Sequence, residues 1–241
     1  MASLFYLCPM FRFKQFTVSQ DKCAMKVNTD GVLLGAWAEV SGAKFILDIG
    51  TGTGVIALMM AQKNSETIID AIDIDEDAFK QAKDNFKQSV WRDRLDATHS
   101  SLQDFSTAKK YDTIISNPPY FVDDFKTDNH QKNIAKHSVA LTYEELLEGI
   151  SRLLSATGKA FLVIPVFNFK MFEVLAEEEK LFVAKLTEVT AVKGKNPYLA
   201  LIELSRLPVP RVFKQTIEIQ DEKGNFTQPY KELTKEFYLK F

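Results

Sequence analysis

KFILDIGTGTG, residues 44–54, is a short apolar run that closes on an acid and then on three glycines at alternate positions. Residues 44–48 have the length and apolar content of a buried strand, and Val55–Lys63 continues at once as an apolar helix. Gly50, Gly52 and Gly54 therefore occupy a strand-to-helix turn, with Asp48 beneath it. Glycines in such a turn let the backbone approach a ligand closely, and the helix N-terminus adds N–H groups. The spacing is G-x-G-x-G, with Val55 where a dinucleotide fingerprint places its third glycine. A ligand without a pyrophosphate is favoured.

Working outward, the same alternation repeats. Residues 67–74 (TIIDAIDI) read as a second strand, and Glu76–Gln88 as an amphipathic helix with Ala78, Phe79, Ala82 and Phe86 on one face. Leu95–His99 and Tyr111–Ser116 are the third and fourth strands. Thr142 and Glu145 stand at capping-box spacing and open a helix expected to run through Leu154 and close near Gly158. Residues 159–165 form a fifth strand, 168–179 a helix, and 181–192 and 198–205 two late strands. In the tail, 211–241, a strand, a turn at Lys223-Gly224-Asn225 and a short helix follow. Strands alternating with helices predict an α/β fold: a mostly parallel sheet with helices on both faces. The reading is one domain over residues 1–241, with a cap segment at 1–43, a core at 44–206 and an extension at 207–241.

Composition narrows the function classes. The chain of 241 residues is 46% hydrophobic and 26% charged, enough apolar matter for a large buried core. Its net charge of −2 excludes a uniformly basic nucleic-acid binder but leaves room for a local basic patch. Cys8 and Cys23 form no CxxC pair, so neither a disulfide framework nor a metal site is expected. His99, His130 and His137 are scattered, again without metal spacing. No apolar run approaches the ~18–20 residues needed to cross a bilayer. A cytoplasmic protein, not membrane-bound and monomeric, is the expectation.

Ligands in an open parallel sheet sit beyond the carboxyl ends of the strands. Asp73 ends the second strand there, 23 residues after Gly50, where an acid can accept hydrogen bonds from both hydroxyls of a ribose. Asp75 and Asp77 read as N-terminal charges of the next helix. Asn117-Pro118-Pro119-Tyr120 follows the fourth strand and is the most specific signal in the chain. The two prolines fix the backbone and remove two N–H donors, leaving the Pro118 carbonyl free to accept. The Asn117 side chain offers a second carbonyl and Tyr120 a flat ring. Two acceptors and one stacking face suit a planar amine with two N–H donors. The bland alternative is a rigid turn with a packed tyrosine. Lys126, Lys132, Lys136 and His137 lie in or just past a polar stretch, and Lys193 and Lys195 in a later loop; each is a candidate phosphate contact or simply a solvated side chain.

Together these motifs resemble the Rossmann-like class I S-adenosylmethionine (SAM)-dependent methyltransferases, and NPPY points to their amino-methylating branch. The resemblance implies a seven-stranded sheet with one antiparallel strand near its end, and SAM lying across the glycine loop with its ribose on Asp73. Phe13-Lys-Gln-Phe16, Asp21-Lys-Cys-Ala-Met-Lys26 and Thr29-Asp-Gly-Val-Leu-Leu-Gly-Ala-Trp37 are similar to the bacterial tRNA1(Val) adenine-37 N6-methyltransferase family over nearly the whole chain. That resemblance implies that Thr29 and Asp30 close over the cofactor side, that the acceptor is adenine N6, and that the partner is tRNA. Many relatives carry an acid after the third strand to bind the cofactor's adenine amine. Here the run is His99-Ser-Ser-Leu-Gln-Asp104, which leaves Ser101, a backbone group or Asp104 for that role. Methylation of guanine N2 in rRNA or of a protein glutamine amide, and a silent SAM-binding RNA-interaction module, are the competing readings.

Overall fold

Residues 10–119 and 141–240 are described by the computed structural model. Strand β3 (Phe45–Ile49) lies inside an eight-stranded sheet, flanked by β4 (Ile68–Asp73) and β6 (Tyr111–Ser116), both parallel to it. Outside β4 is β5 (Leu95–His99); outside β6 come β7 (Leu154–Pro165), β9 (Leu199–Ser205), β8 (Phe182–Val192) and β10 (Phe213–Gln220), in that order. Strand β9 is antiparallel to both of its neighbours. A separate hairpin pairs β1 (Met10–Arg12) with β2 (Thr17–Ser19).

Helices α1 (Thr29–Trp37), α2 (Val55–Lys63), α3 (Glu76–Gln88) and α6 (Gln228–Thr234) contribute to one buried cluster, and α4 (Tyr143–Leu153) and α5 (Phe169–Glu178) to a second. Strand β7 feeds both. Phe161 and Val163 point into the first cluster, Ala160, Leu162 and Ile164 into the second, the two-residue period of a strand buried on both faces.

Three expectations change. The sheet has eight strands rather than seven, because the extension lays β10 parallel along β8, whose outer backbone groups would otherwise form an open edge. Helix α4 keeps its capping box but ends at Leu153, and β7 begins at once at Leu154. Gly158 is no helix terminus. It sits in the strand where the β6–β7 register shifts, and a Cβ there would come 2.9 Å from the Tyr111 carbonyl oxygen. Helix α1 was not predicted: residues 31–37 are all buried, so the segment has no polar face to mark a helical period.

Candidate active site

The carboxyl ends of β3, β4, β6 and β7 share one edge of the sheet. Strand β8 runs in the same direction as β7, since β9 opposes both, so the loop carrying Lys193 and Lys195 emerges on this edge too.

In the turn after β3, Gly50, Gly52 and Gly54 all adopt positive φ, +69°, +56° and +80°. A Cβ at Gly54 would lie 2.5 Å from the Phe86 ring, so glycine is needed there for α3 to pack under the turn. The amides of Gly50 and Thr51 donate to the Ile72 carbonyl (2.9 and 3.0 Å), that of Gly52 to Asp73 Oδ2 (2.8 Å) and that of Gly54 to the Thr51 carbonyl (2.8 Å). With these four donors committed inside the protein, the turn is held in a fixed shape. It presents open backbone, for a Cβ at Gly50 would meet nothing within 4 Å.

Asp48 is fully buried under the turn. The Thr51 hydroxyl donates to Oδ2 at 2.7 Å, and Oδ1 has no partner of full hydrogen-bond geometry among the described residues. Burial pushes its pKa up to about 7, opposed by the Thr51 hydroxyl and the Ala57 amide and reinforced by Asp73. Asp73 also sits above the usual carboxylate range, chiefly through burial, with the Asp75 and Gly52 amides pulling it back. Its Oδ1 accepts from the Asp75 amide at 2.9 Å and its Oδ2 from Gly52. Each oxygen keeps a second acceptor position for a ligand. Asp75 is the N-cap of α3, accepting from the Ala78 amide at 2.8 Å, as its place in the sequence implied.

Asn117 is half-buried, Pro118 buried and Pro119 exposed. The Ser116 hydroxyl donates to the Ile49 carbonyl at 2.8 Å, which pins the end of β6 beside the glycine turn. Thr29 and Asp30 form the first turn of α1, capped by Asn28, whose side chain accepts from the Gly31 amide at 2.9 Å. A Cβ at Gly31 would lie 3.5 Å from Asn117 Nδ2, so the Asn117 amide rests against that first turn. The site thus joins the cap helix, the glycine turn and the end of β6. Tyr120, Lys126, Lys132, Lys136 and His137 lie outside the described residues.

After β5, the Ser101 hydroxyl donates to Asp104 Oδ2 at 2.7 Å and accepts from the Asp104 amide at 3.1 Å. The two candidates for reading an adenine amine are one hydrogen-bonded unit. His99 stacks on Phe79, its Nε2 3.0 Å from the Ile74 carbonyl oxygen.

The structure adds residues that the sequence reading passed over. Asn85, buried on α3, accepts from the Ser19 amide (2.9 Å) and donates to the carbonyls of Ser19 and Thr53 (2.8 Å each). Gln81, one turn earlier and equally buried, accepts from the Lys22 amide at 2.8 Å. Both fasten the cap segment to α3, and Asn85 ties it to the glycine turn as well. The available signal was a polar residue on an otherwise apolar helix face. At the other end of α1, Lys63 reaches the carbonyls of Ala36 (2.8 Å) and Ala38, and burial lowers its pKa to about 8.

A parallel sheet with this edge defines a class, and the methyltransferase small domain family matches residues 31–185. The tRNA1(Val) (adenine(37)-N6)-methyltransferase of Flavobacterium johnsoniae is 44% identical over 96% of this chain and 100% of its own. The protein of the same name from Bacteroides thetaiotaomicron is 43% identical over 96% of this chain and 98% of its own. The chain belongs to this methyltransferase family. A crystal structure of a predicted O-methyltransferase from Agrobacterium tumefaciens shares the fold, with a TM-score of 0.66 at 13% identity over 86% of this chain and 96% of that one.

Proposed function

We propose that the chain transfers a methyl group from SAM to the exocyclic N6 of an adenine in tRNA, adenine 37 of tRNA1(Val), working as one domain. The observation that carries this reading is the position of Asn117, held at the end of β6 beside the glycine turn and against the first turn of α1. The cofactor, when bound, supplies an electrophilic methyl on a positively charged sulfur. The residues present fit it: the glycine turn is open at Gly50, and Asp73 keeps acceptor positions for ribose hydroxyls. Asp48 lies buried beneath the turn, and the first turn of α1, with Thr29 and Asp30, rests against Asn117. Ser101, through Asp104, is assigned to the adenine end.

An adenine amine is a weak nucleophile because its lone pair is delocalised into the ring. Accepting its two N–H bonds at the Asn117 side-chain carbonyl and the Pro118 carbonyl localises that lone pair and aims it. Positioning and electrostatics supply the acceleration. The methylated nitrogen is acidic enough to lose its extra proton without a dedicated base. The target base leaves its stack to reach the edge, and Tyr120 is assigned to replace the lost stacking.

The test is incubation with labelled SAM and separate pools of tRNA, rRNA and ribosomal protein, followed by nucleoside analysis. Label in N6-methyladenosine from tRNA is expected. Label confined to guanosine or protein overturns the reading.

A further inference from the structure

On the sheet edge that carries Asn117, one aromatic side chain is conspicuous for its exposure. Phe167 is 74% exposed, yet it does not belong to a loose loop. It lies in a 3-10 turn, Val166–Asn168, between β7 and α5. The Val166 amide donates to the Tyr198 carbonyl at 3.0 Å, the Asn168 side chain donates to the Tyr143 hydroxyl at 3.1 Å, and Phe169 is buried. Both neighbours and the following residue are anchored, so the ring between them is held out from a fixed backbone. With most of its area exposed, Phe167 forgoes most of the stabilisation a core phenylalanine gives.

Its surroundings select the occupant. Ser116 pairs with Leu162, which makes β7 the strand beside Asn117-Pro118-Pro119. Pro165 pairs with Leu199, which sets the exit of β7 beside the β8–β9 loop. That loop, Lys-Gly-Lys-Asn-Pro-Tyr at 193–198, carries two lysines and no acid. Lys193 and Lys195 are exposed and make no ion pair among the described residues. A flat ring on a rigid turn, next to unpaired cations, matches a single-stranded nucleic acid, where bases stack on aromatics and lysines meet phosphates.

We propose that Phe167 is a stacking platform for a base flanking the target adenine, with Lys193 and Lys195 taking the adjoining backbone phosphates. The proposal rests on the RNA-methylating reading above and names the surface that holds the neighbouring nucleotides while the target is extruded.

The experiment measures RNA binding and single-turnover transfer on an anticodon stem-loop for wild type and for Phe167→Ala, Phe167→Leu and Phe167→Trp. Because the side chain is exposed, these variants keep the fold, and unchanged SAM affinity verifies it. Alanine and leucine should each weaken RNA binding by about tenfold, while tryptophan keeps it. An abasic site beside the target should cost the wild type a similar factor and cost Phe167→Ala almost nothing further. Wild-type RNA affinity in Phe167→Ala, or leucine serving as well as phenylalanine, overturns the platform. So does a change of oligomeric state in Phe167→Ala with RNA affinity intact, which would assign the ring to a protein contact. Wild-type enzyme that methylates no tRNA would overturn the underlying reading instead, so the two failures are distinct.

Discussion

The two halves of the site are built in opposite ways. On the side assigned to the cofactor, the glycine turn, the cap segment and α3 brace one another: the Gly50, Thr51, Gly52 and Gly54 amides, Asp73, Asn85 and Gln81 have partners within the protein. On the acceptor side, Asn117 has no side-chain hydrogen bond among the described residues, Pro119 is exposed, and Phe167, Lys193 and Lys195 face solvent. One half is assembled before any ligand arrives. The other leaves the side chains of Asn117, Phe167, Lys193 and Lys195 unengaged among the described residues, in keeping with the proposed RNA contact. The cofactor side therefore ought to answer to mutation through binding and stability, and the acceptor side through rate and RNA affinity.

The sharpest way to break this division is to substitute Asn117, the acceptor proposed to aim the amine. Asn117→Ala should slow methyl transfer by roughly 10²–10³, about 2.7–4 kcal/mol, by analogy with deleting one preorganised polar group from a transition-state site. SAM affinity should hardly change. Asp73→Ala should do the reverse, losing hydrogen bonds to an ionised acceptor worth ~1.5–3 kcal/mol each in cofactor binding. Calorimetry for SAM and single-turnover rates under saturating SAM and RNA separate the two. If both variants fail in the same parameter, the division is wrong.

A test confined to the cofactor side uses Asp48. Its folded pKa of about 7 lies above the usual carboxylate value, so the native state holds a proton across pH 4–7 that the unfolded chain has released. This group's contribution to stability is greatest below about pH 4 and is lost as pH rises towards 7. Asp48→Asn keeps an acceptor for the Thr51 hydroxyl and removes the titration. In the cofactor-free protein the variant should gain on wild type by about 3 kcal/mol between pH 5 and pH 8. Denaturant unfolding at the two pH values checks it; parallel slopes would mean another group titrates.

The same contrast explains what the sequence made legible. Strands β5 and β6 and helices α2 and α3 matched their expected limits, because each is a short apolar run or an amphipathic period punctuated by glycine, proline or a capping acid. Asp48, Gly50, Gly52, Gly54, Asp73 and Asn117 stood out as candidates for a related reason: strand ends and turns constrain residue type locally. Helix α1 escaped because burial on every side erased its period, although Asn28 before Thr-Asp-Gly is an N-cap signal in retrospect. Asn85 escaped because its role depends on what lies across space, Ser19 and Thr53, and Phe167 because its proposed role rests on β7 lying beside β6. No spacing in the chain encodes that. Ser101 stands as a candidate whose hydroxyl is already bound to Asp104.

Asn85 offers a smaller and more local probe of the assembled half. Asn85→Ala strands three backbone groups, the part-buried Ser19 amide and carbonyl and the buried Thr53 carbonyl. Water entering the gap will satisfy some of them, so the expected loss is about 2–3 kcal/mol rather than the sum of three penalties. Because those groups belong to the cap segment and the glycine turn, SAM affinity should fall with stability, while the single-turnover rate at saturating SAM should be nearly normal. Unfolding midpoints and calorimetry read both quantities. A stable variant that binds SAM as wild type does would show that the cap needs no such fastening.

The smallest effect is expected from the open half, at Lys193 and Lys195. An exposed lysine beside a phosphate releases condensed counterions and contributes modestly at physiological salt. Each single alanine substitution should therefore weaken tRNA binding only a few-fold, with the transfer rate at saturating RNA unchanged. The informative quantity is the salt dependence. If each lysine meets one phosphate, the double substitution should reduce the slope of log K against log salt by roughly 1.5–2. Stability should be unaffected, because neither side chain makes an ion pair among the described residues. Binding measured across a salt series supplies the slope directly. A double variant with lower affinity but an unchanged slope would mean that the loop acts through its shape, not its charge. One with both unchanged would confine the RNA-binding surface to other parts of the chain.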